Sequence, residues 1–191
     1  IACMPVRNEE WILEKTLGDL STYVDEIVIV DDGSTDRTPE IIRSFDKVTA
    51  IHTNPPGTLP FNNGQESTNR NKTLDLARKR GADWILQIDA DEMFESRVGL
   101  ELPKLIKKGC SVKFRICHLW GDLDHFRVDG EWDGFYRWRL FQLHGSYARR
   151  MRYSPKHIIA TPRAYDRRNR TKSDLKIVHF GWISPSVRER S

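Results

Sequence analysis

Four short apolar runs punctuate the first ninety residues, each closed by polar residues: Ile1 to Pro5, Glu26 to Val30, Val48 to His52 and Trp84 to Ile88. Their length and branched side chains predict strands. Between them the apolar positions recur at helical spacing. Asn8 stands where it would cap a helix, with Glu9 and Glu10 in the first turn and Leu13, Leu17 and Leu20 along one face. Thr38 and Pro39 announce a second helix with Ile41, Ile42 and Phe45 turned inward. A third runs from about Glu66 to Arg80 and stops at Gly81. Strands alternating with helices predict a parallel sheet covered by helices.

After Glu92 the alternation weakens. The pattern predicts a helix near Val98 to Lys108, strands at Val112 to Cys117 and Tyr136 to Leu143, and a late strand-like element around Lys176 to Phe180. Thr53 to Gly64, with three prolines and two glycines, reads as a long functional loop. No internal repeat or low-complexity tract interrupts the chain. A length of 191 residues suits one catalytic domain, residues 1–191, whose first part (1–92) and second part (93–191) differ in character.

Charge sharpens that difference. Residues 1–120 carry 16 Lys/Arg against 19 Asp/Glu, and residues 121–191 carry 15 against 8. Between Arg149 and Lys172 nine basic residues face one acid, Asp166. Such a stretch either borders an anionic acceptor, a lipid-linked phosphate or a membrane surface, or is a solvated loop. It lacks the aromatic platform that single-stranded nucleic acid needs, so nucleic acid is not an expected partner. Cys3, Cys110 and Cys117 fit neither a zinc ribbon nor a disulfide framework and read as reduced core thiols. The longest clearly apolar run, Ile27 to Val30, is far below the roughly 20 residues of a membrane span. The expected location is cytoplasmic, with peripheral contact at the inner membrane face.

In open α/β sheets ligands gather at the carboxyl ends of strands. Those ends carry Pro5-Val6-Arg7-Asn8-Glu9, Asp31-Asp32-Gly33-Ser34 and Asp89-Ala90-Asp91-Glu92. Neighbouring carboxylates repel unless a cation or hydrogen-bond donors compensate, and hard oxygen ligands suit Mg²⁺ or Mn²⁺ with phosphate oxygens completing the shell.

The stretches Met4 to Glu10, Val28 to Asp36 and Asp83 to Glu92, in that order and spacing, resemble the three signatures of family 2 glycosyltransferases. Asn69-Arg70-Asn71 ahead of a helix is a fourth element of the same resemblance. The resemblance implies a GT-A type fold, with a Rossmann-like, mainly parallel sheet flanked by helices and an elaborated acceptor half. It implies inverting, metal-dependent transfer of a sugar from a nucleoside-diphosphate sugar to an acceptor hydroxyl, in glycan or cell-surface polysaccharide synthesis. Carried over by position, Pro5, Arg7, Glu9, Asp31, Asp32 and Arg70 would line the donor pocket. Asp89 would sit near ribose and metal, and Asp91 would ligate the metal.

A late histidine, His179 or alternatively His157, would return to the metal. The proton of the acceptor needs a base from the second half; Asp133 comes first and Glu131 second, both also fitting a solvated turn. Two other readings compete. A nucleotide-sugar-binding module without turnover would keep the same pocket. A sugar-phosphate nucleotidyltransferase would open on a glycine-rich phosphate loop, and residues 1–10 contain no glycine.

Overall fold

The computed structural model describes residues 1–56, 63–107, 111–143, 149–154, 161–162 and 169–183. Strands β1 (Ala2–Val6), β2 (Ile27–Asp31), β3 (Val48–Thr53) and β4 (Trp84–Gln87) form the parallel part of the sheet in the order β3-β2-β1-β4. Strands β5 (Glu92–Phe94), β6 (Ser111–His118), β7 (Tyr136–Gln142) and β8 (Arg170–His179) extend it as β4-β7-β6-β8-β5. β7 runs antiparallel to β4 and β6, β8 is parallel to β6, and β5 is antiparallel to β8. Six of these eight strands therefore run in one direction, and all six end at one edge of the sheet.

β1 and β2 are buried on both faces, which is why they read as near-continuous apolar runs. Alternate residues serve opposite layers. Met4 and Ile29 pack with Leu13, Leu17 and Leu20 of helix α1 (Leu13–Leu20). Cys3 and Val28 pack with Leu74 and Ala77 of helix α3 (Asn63–Lys79). Helix α2 (Thr38–Arg43) buries Ile42, and α4 (Val98–Lys107) buries Val98, Leu102 and Leu105. Gly81, at φ +75°, ends the third helical segment as expected. Cys3 and Cys117 are buried thiols without a disulfide, and Cys110 lies outside the described residues. No described helix is long and apolar enough to cross a membrane.

Two local expectations are corrected. Asn8 does not cap α1, which begins at Leu13 without a side-chain cap. It sits at φ +53°, donates its N–H to Ser34 Oγ at 2.9 Å and accepts the Thr35 N–H on its side-chain oxygen at 2.8 Å. Asn8 thus ties the end of β1 to the turn after β2. Thr38 opens α2 as expected; Asp36 accepts the Thr38 N–H at 2.9 Å, and the Thr38 hydroxyl accepts the Glu9 N–H at 2.8 Å. The last strand begins at Arg170, inside the basic stretch, rather than near Lys176. β5 is an addition: three residues are too few for a periodic signal.

Candidate functional site at the carboxyl edge

The two acidic turns after β2 and β4 open on the same edge. Asp31 and Asp32 are both buried. One Asp31 oxygen accepts the Ser34 N–H at 3.0 Å and shapes the turn at Gly33. Asp32 Oδ1 accepts from the side-chain amides of Asn54 at 2.6 Å and Gln65 at 2.8 Å, while Oδ2 is buried, has no hydrogen bond among the described residues and lies 4.0 Å from the Arg7 guanidinium. Pro5 is half-buried on β1, in register with Val30. Glu9 accepts from the Trp11 indole at 2.8 Å. Burial first, and then the nearby Asp91 charge, push its carboxyl up to about 8.

The turn after β4 is held by two arginines. Asp89 Oδ1 accepts from Arg70 at 2.7 Å, and Oδ2 accepts from Arg139 at 2.8 Å. Burial opposes ionisation of Asp89, but Arg139 and Arg70 outweigh it and hold the carboxylate well below its usual range. Arg139 also pairs with buried Glu92, whose other oxygen accepts the Asp89 N–H at 3.1 Å, and Arg70 pairs with Glu66 at 2.8 Å. Asp89, expected at ribose and metal, therefore spends both oxygens on this clamp.

Asp91 points elsewhere. Its Oδ2 lies 3.3 Å from His179 Nε2, and its backbone oxygen accepts the Phe180 N–H at 2.9 Å. Strand pairing sets this meeting, because Glu92 of β5 is in register with His179 of β8. Burial raises the Asp91 carboxyl and His179 opposes that rise. Behind His179 stands His118, the last residue of β6, with the two Nδ1 atoms 3.1 Å apart. Burial, then His179 and Arg137, push the His118 imidazole down to about 3, so it is neutral. Gly181 is pressed against the pair: an added Cβ would lie 2.6 Å from Asp91 Oδ2 and 2.7 Å from His179 Cε1.

An aromatic wall continues from His118. Its ring meets those of Trp132 and Phe135 edge-on at 4.5 and 5.1 Å, and Arg127 lies over the Trp120 and Trp132 rings at 4.6 and 4.8 Å. Glu131 sits in the short helical turn Gly130–Trp132, and Asp133 follows it. Both are exposed, and Asp133 forms an ion pair with Arg115 at 3.4 Å. His157 and most of the basic stretch lie outside the described residues.

Sequence reasoning missed Glu92, Arg139 and His118 as members of this site. A signal existed for Arg139, since a cation in the middle of a strand flanked by Trp138, Leu140 and Phe141 must be paired if it is buried. His118 carried none, because its partner is reached only through the register of β6 with β8.

With that geometry in place, the model of glycosyl transferase family 2 matches residues 1–168. The chain belongs to glycosyl transferase family 2. Among curated relatives, this family 2 domain is 34% identical over 114 residues to a TPR repeat-containing protein of Synechococcus elongatus, covering 60% of this chain and 26% of that protein. It is 29% identical over 113 residues to an uncharacterized protein of Methanocaldococcus jannaschii, covering 56% of this chain and 45% of that protein. The match therefore spans a quarter to just under half of those relatives. Solved structures similar to the domain include the 1–349 fragment of S. aureus TarS in complex with UDP-GlcNAc, at 20% identity, TM-score 0.49, 68% of this chain and 36% of that one. Glucosyl-3-phosphoglycerate synthase from Mycobacterium tuberculosis follows at 20% identity, TM-score 0.41, 63% and 44%. The mixed α/β fold, with its mainly parallel sheet, is that of the GT-A glycosyltransferases.

Proposed function

We propose that the domain transfers a sugar from a nucleoside-diphosphate donor to an acceptor hydroxyl with inversion, using a divalent cation, in the assembly of a glycan or surface polysaccharide. The approach of Asp91 and His179 to 3.3 Å at the carboxyl edge carries this reading. Among the described residues no group of three or more His, Cys, Asp or Glu converges as a complete cage. A carboxylate oxygen and an imidazole nitrogen that face each other nevertheless fit Mg²⁺ or Mn²⁺, ions that keep waters and take phosphate oxygens. Asp91 and His179 would hold the ion, which would offset the charge growing on the departing nucleoside diphosphate.

The remaining roles belong to the chain's own residues. Pro5, Arg7, Glu9, Asp31 and Asp32 line the nucleoside side. The Arg70 and Arg139 clamp keeps Asp89 ionised and fixed, so that the β4 turn presents Asp91 in one orientation. Asp133, or Glu131 close to it in the same turn, takes the proton of the acceptor hydroxyl; the two carboxylates are interleaved in the chain with Trp132 and Phe135 of the aromatic wall. The basic stretch from Arg149 to Lys172 favours an anionic or lipid-linked acceptor.

The test is Asp91→Asn, assayed for nucleoside-diphosphate release and sugar transfer over a panel of nucleotide sugars with Mn²⁺. Turnover is expected to fall about a hundredfold or more while the melting temperature stays near wild type. Wild-type turnover of this variant in the presence of chelator would overturn the metal-dependent reading.

A further inference from the structure

Arg137 is a cation that forms no ion pair with a carboxylate among the described residues. It lies on β7, half-buried, with its guanidinium carbon 3.5 Å from the Phe135 ring centroid. Its hydrogen bond goes to the backbone oxygen of Tyr136 at 3.3 Å, and no carboxylate pairs with it among the described residues. Two residues on, Arg139 is almost fully buried and spends one terminal nitrogen on Asp89 and Glu92. Its Nε and Nη1 are buried with no partner among the described residues. Buried guanidinium N–H groups without acceptors are costly, and native proteins normally satisfy them.

The two cations press on each other. Burial and the Arg139 charge together push the Arg137 guanidinium down to about 10. Arg137 also helps to depress the His118 imidazole, after burial and His179. The carboxylates here are already engaged: Asp89 by both arginines of the clamp, Glu92 by Arg139, and Asp91 by His179. Among the described residues no acceptor oxygen meets these N–H groups, and a planar guanidinium fork on an aromatic ring is shaped for a phosphate or carboxylate.

We infer that Arg137, with the unfilled N–H groups of Arg139 behind it, forms a subsite for an oxyanion carried by the acceptor, a phosphate or carboxylate group near its reacting hydroxyl. The placement favours the acceptor over the donor. Arg137 sits on β7 beside Phe135, which follows Glu131 and Asp133, whereas the nucleoside side is built from β1 and β2. The inference rests on the proposed function for what the acceptor is, and it extends the expectation of an anionic acceptor to residues outside the basic stretch.

Inorganic phosphate is the probe. The domain is first saturated with Mg²⁺ and the nucleoside diphosphate that binds best, so that the donor site is filled. Phosphate is then titrated while the side-chain Nε–H signals of Arg137 and Arg139 are followed by NMR. Both signals should shift together and saturably, and Arg137→Gln, read at Arg139, should bind phosphate about tenfold more weakly. Arg137→Lys, which keeps the charge but loses the fork, should fall between the two. Nucleoside-diphosphate affinity should be unchanged in both variants, whose melting curves report folding. Unmoved arginine signals, or equal phosphate affinity in Arg137→Gln, would overturn the subsite. So would displacement of the nucleotide by phosphate, or a comparable loss of nucleotide affinity in the variant, either of which assigns Arg137 to the donor diphosphate. If no nucleoside diphosphate binds, the donor reading alone fails, and the same titration on the unloaded domain decides the subsite.

Discussion

Gly181 shows how tightly a single position can be specified. A methyl group there would stand 2.6 Å from Asp91 Oδ2 and 2.7 Å from His179 Cε1, so one of the two side chains has to move. Overpacking of this kind costs about 1–3 kcal/mol in stability. Its effect on function should be larger, because the displaced atoms are the two proposed metal donors. Gly181→Ala is expected to weaken Mn²⁺ binding at least about tenfold, measured by electron paramagnetic resonance of free Mn²⁺, with only a few degrees lost in melting temperature. Unchanged Mn²⁺ affinity would mean that Asp91 and His179 do not hold the ion.

At the scale of elements, β7 carries the most information per residue. Its register with β6 steps from Leu140↔Val112 directly to Trp138↔Lys113, so Arg139 is an extra residue at a bulge. Bulges re-aim side chains beside active sites, and this one delivers Arg139 to Asp89 and Glu92. Removing the guanidinium leaves two carboxylates facing each other. Arg139→Met should lower stability by about 3–5 kcal/mol in urea denaturation, and adding Glu92→Gln should recover part of that loss. No recovery in the double variant would show that the clamp is not electrostatic.

The strand pattern made β1 to β4 legible, because strands buried on both faces are continuous apolar runs. It also placed Asp31, Asp32, Asp89 and Asp91 at the ends of those strands. It did not show the bulge, which leaves no mark on composition, or β5, which is three residues long. Asn8 misled for a different reason. Asparagine caps helices and also tolerates left-handed backbone, and here the second use prevailed, bridging β1 to the next turn at φ +53°.

At the scale of the molecule, the acidic edge couples folding to pH. Glu9 holds its proton up to about 8 in the folded state, against an ordinary value of 4.5. The folded state therefore binds more protons than the unfolded chain across that window. The resulting stability is complete below pH 4.5 and is lost as the pH climbs to about 8. The slope can reach about 1.4 kcal/mol per pH unit for one proton. Glu9→Gln stays neutral throughout, so its melting temperature should fall less than that of wild type between these limits; parallel curves would refute the shift. The same edge has a consequence for synthesis. Asp91 emerges from the ribosome with the first half of the chain, whereas His179 ends β8, the last strand described, and meets Asp91 only when β8 pairs with β5. A nascent or interrupted chain that ends before β8 lacks His179 and cannot form the Asp91 and His179 pair. Chain order thus makes the proposed cation site one of the last features of the fold to be completed.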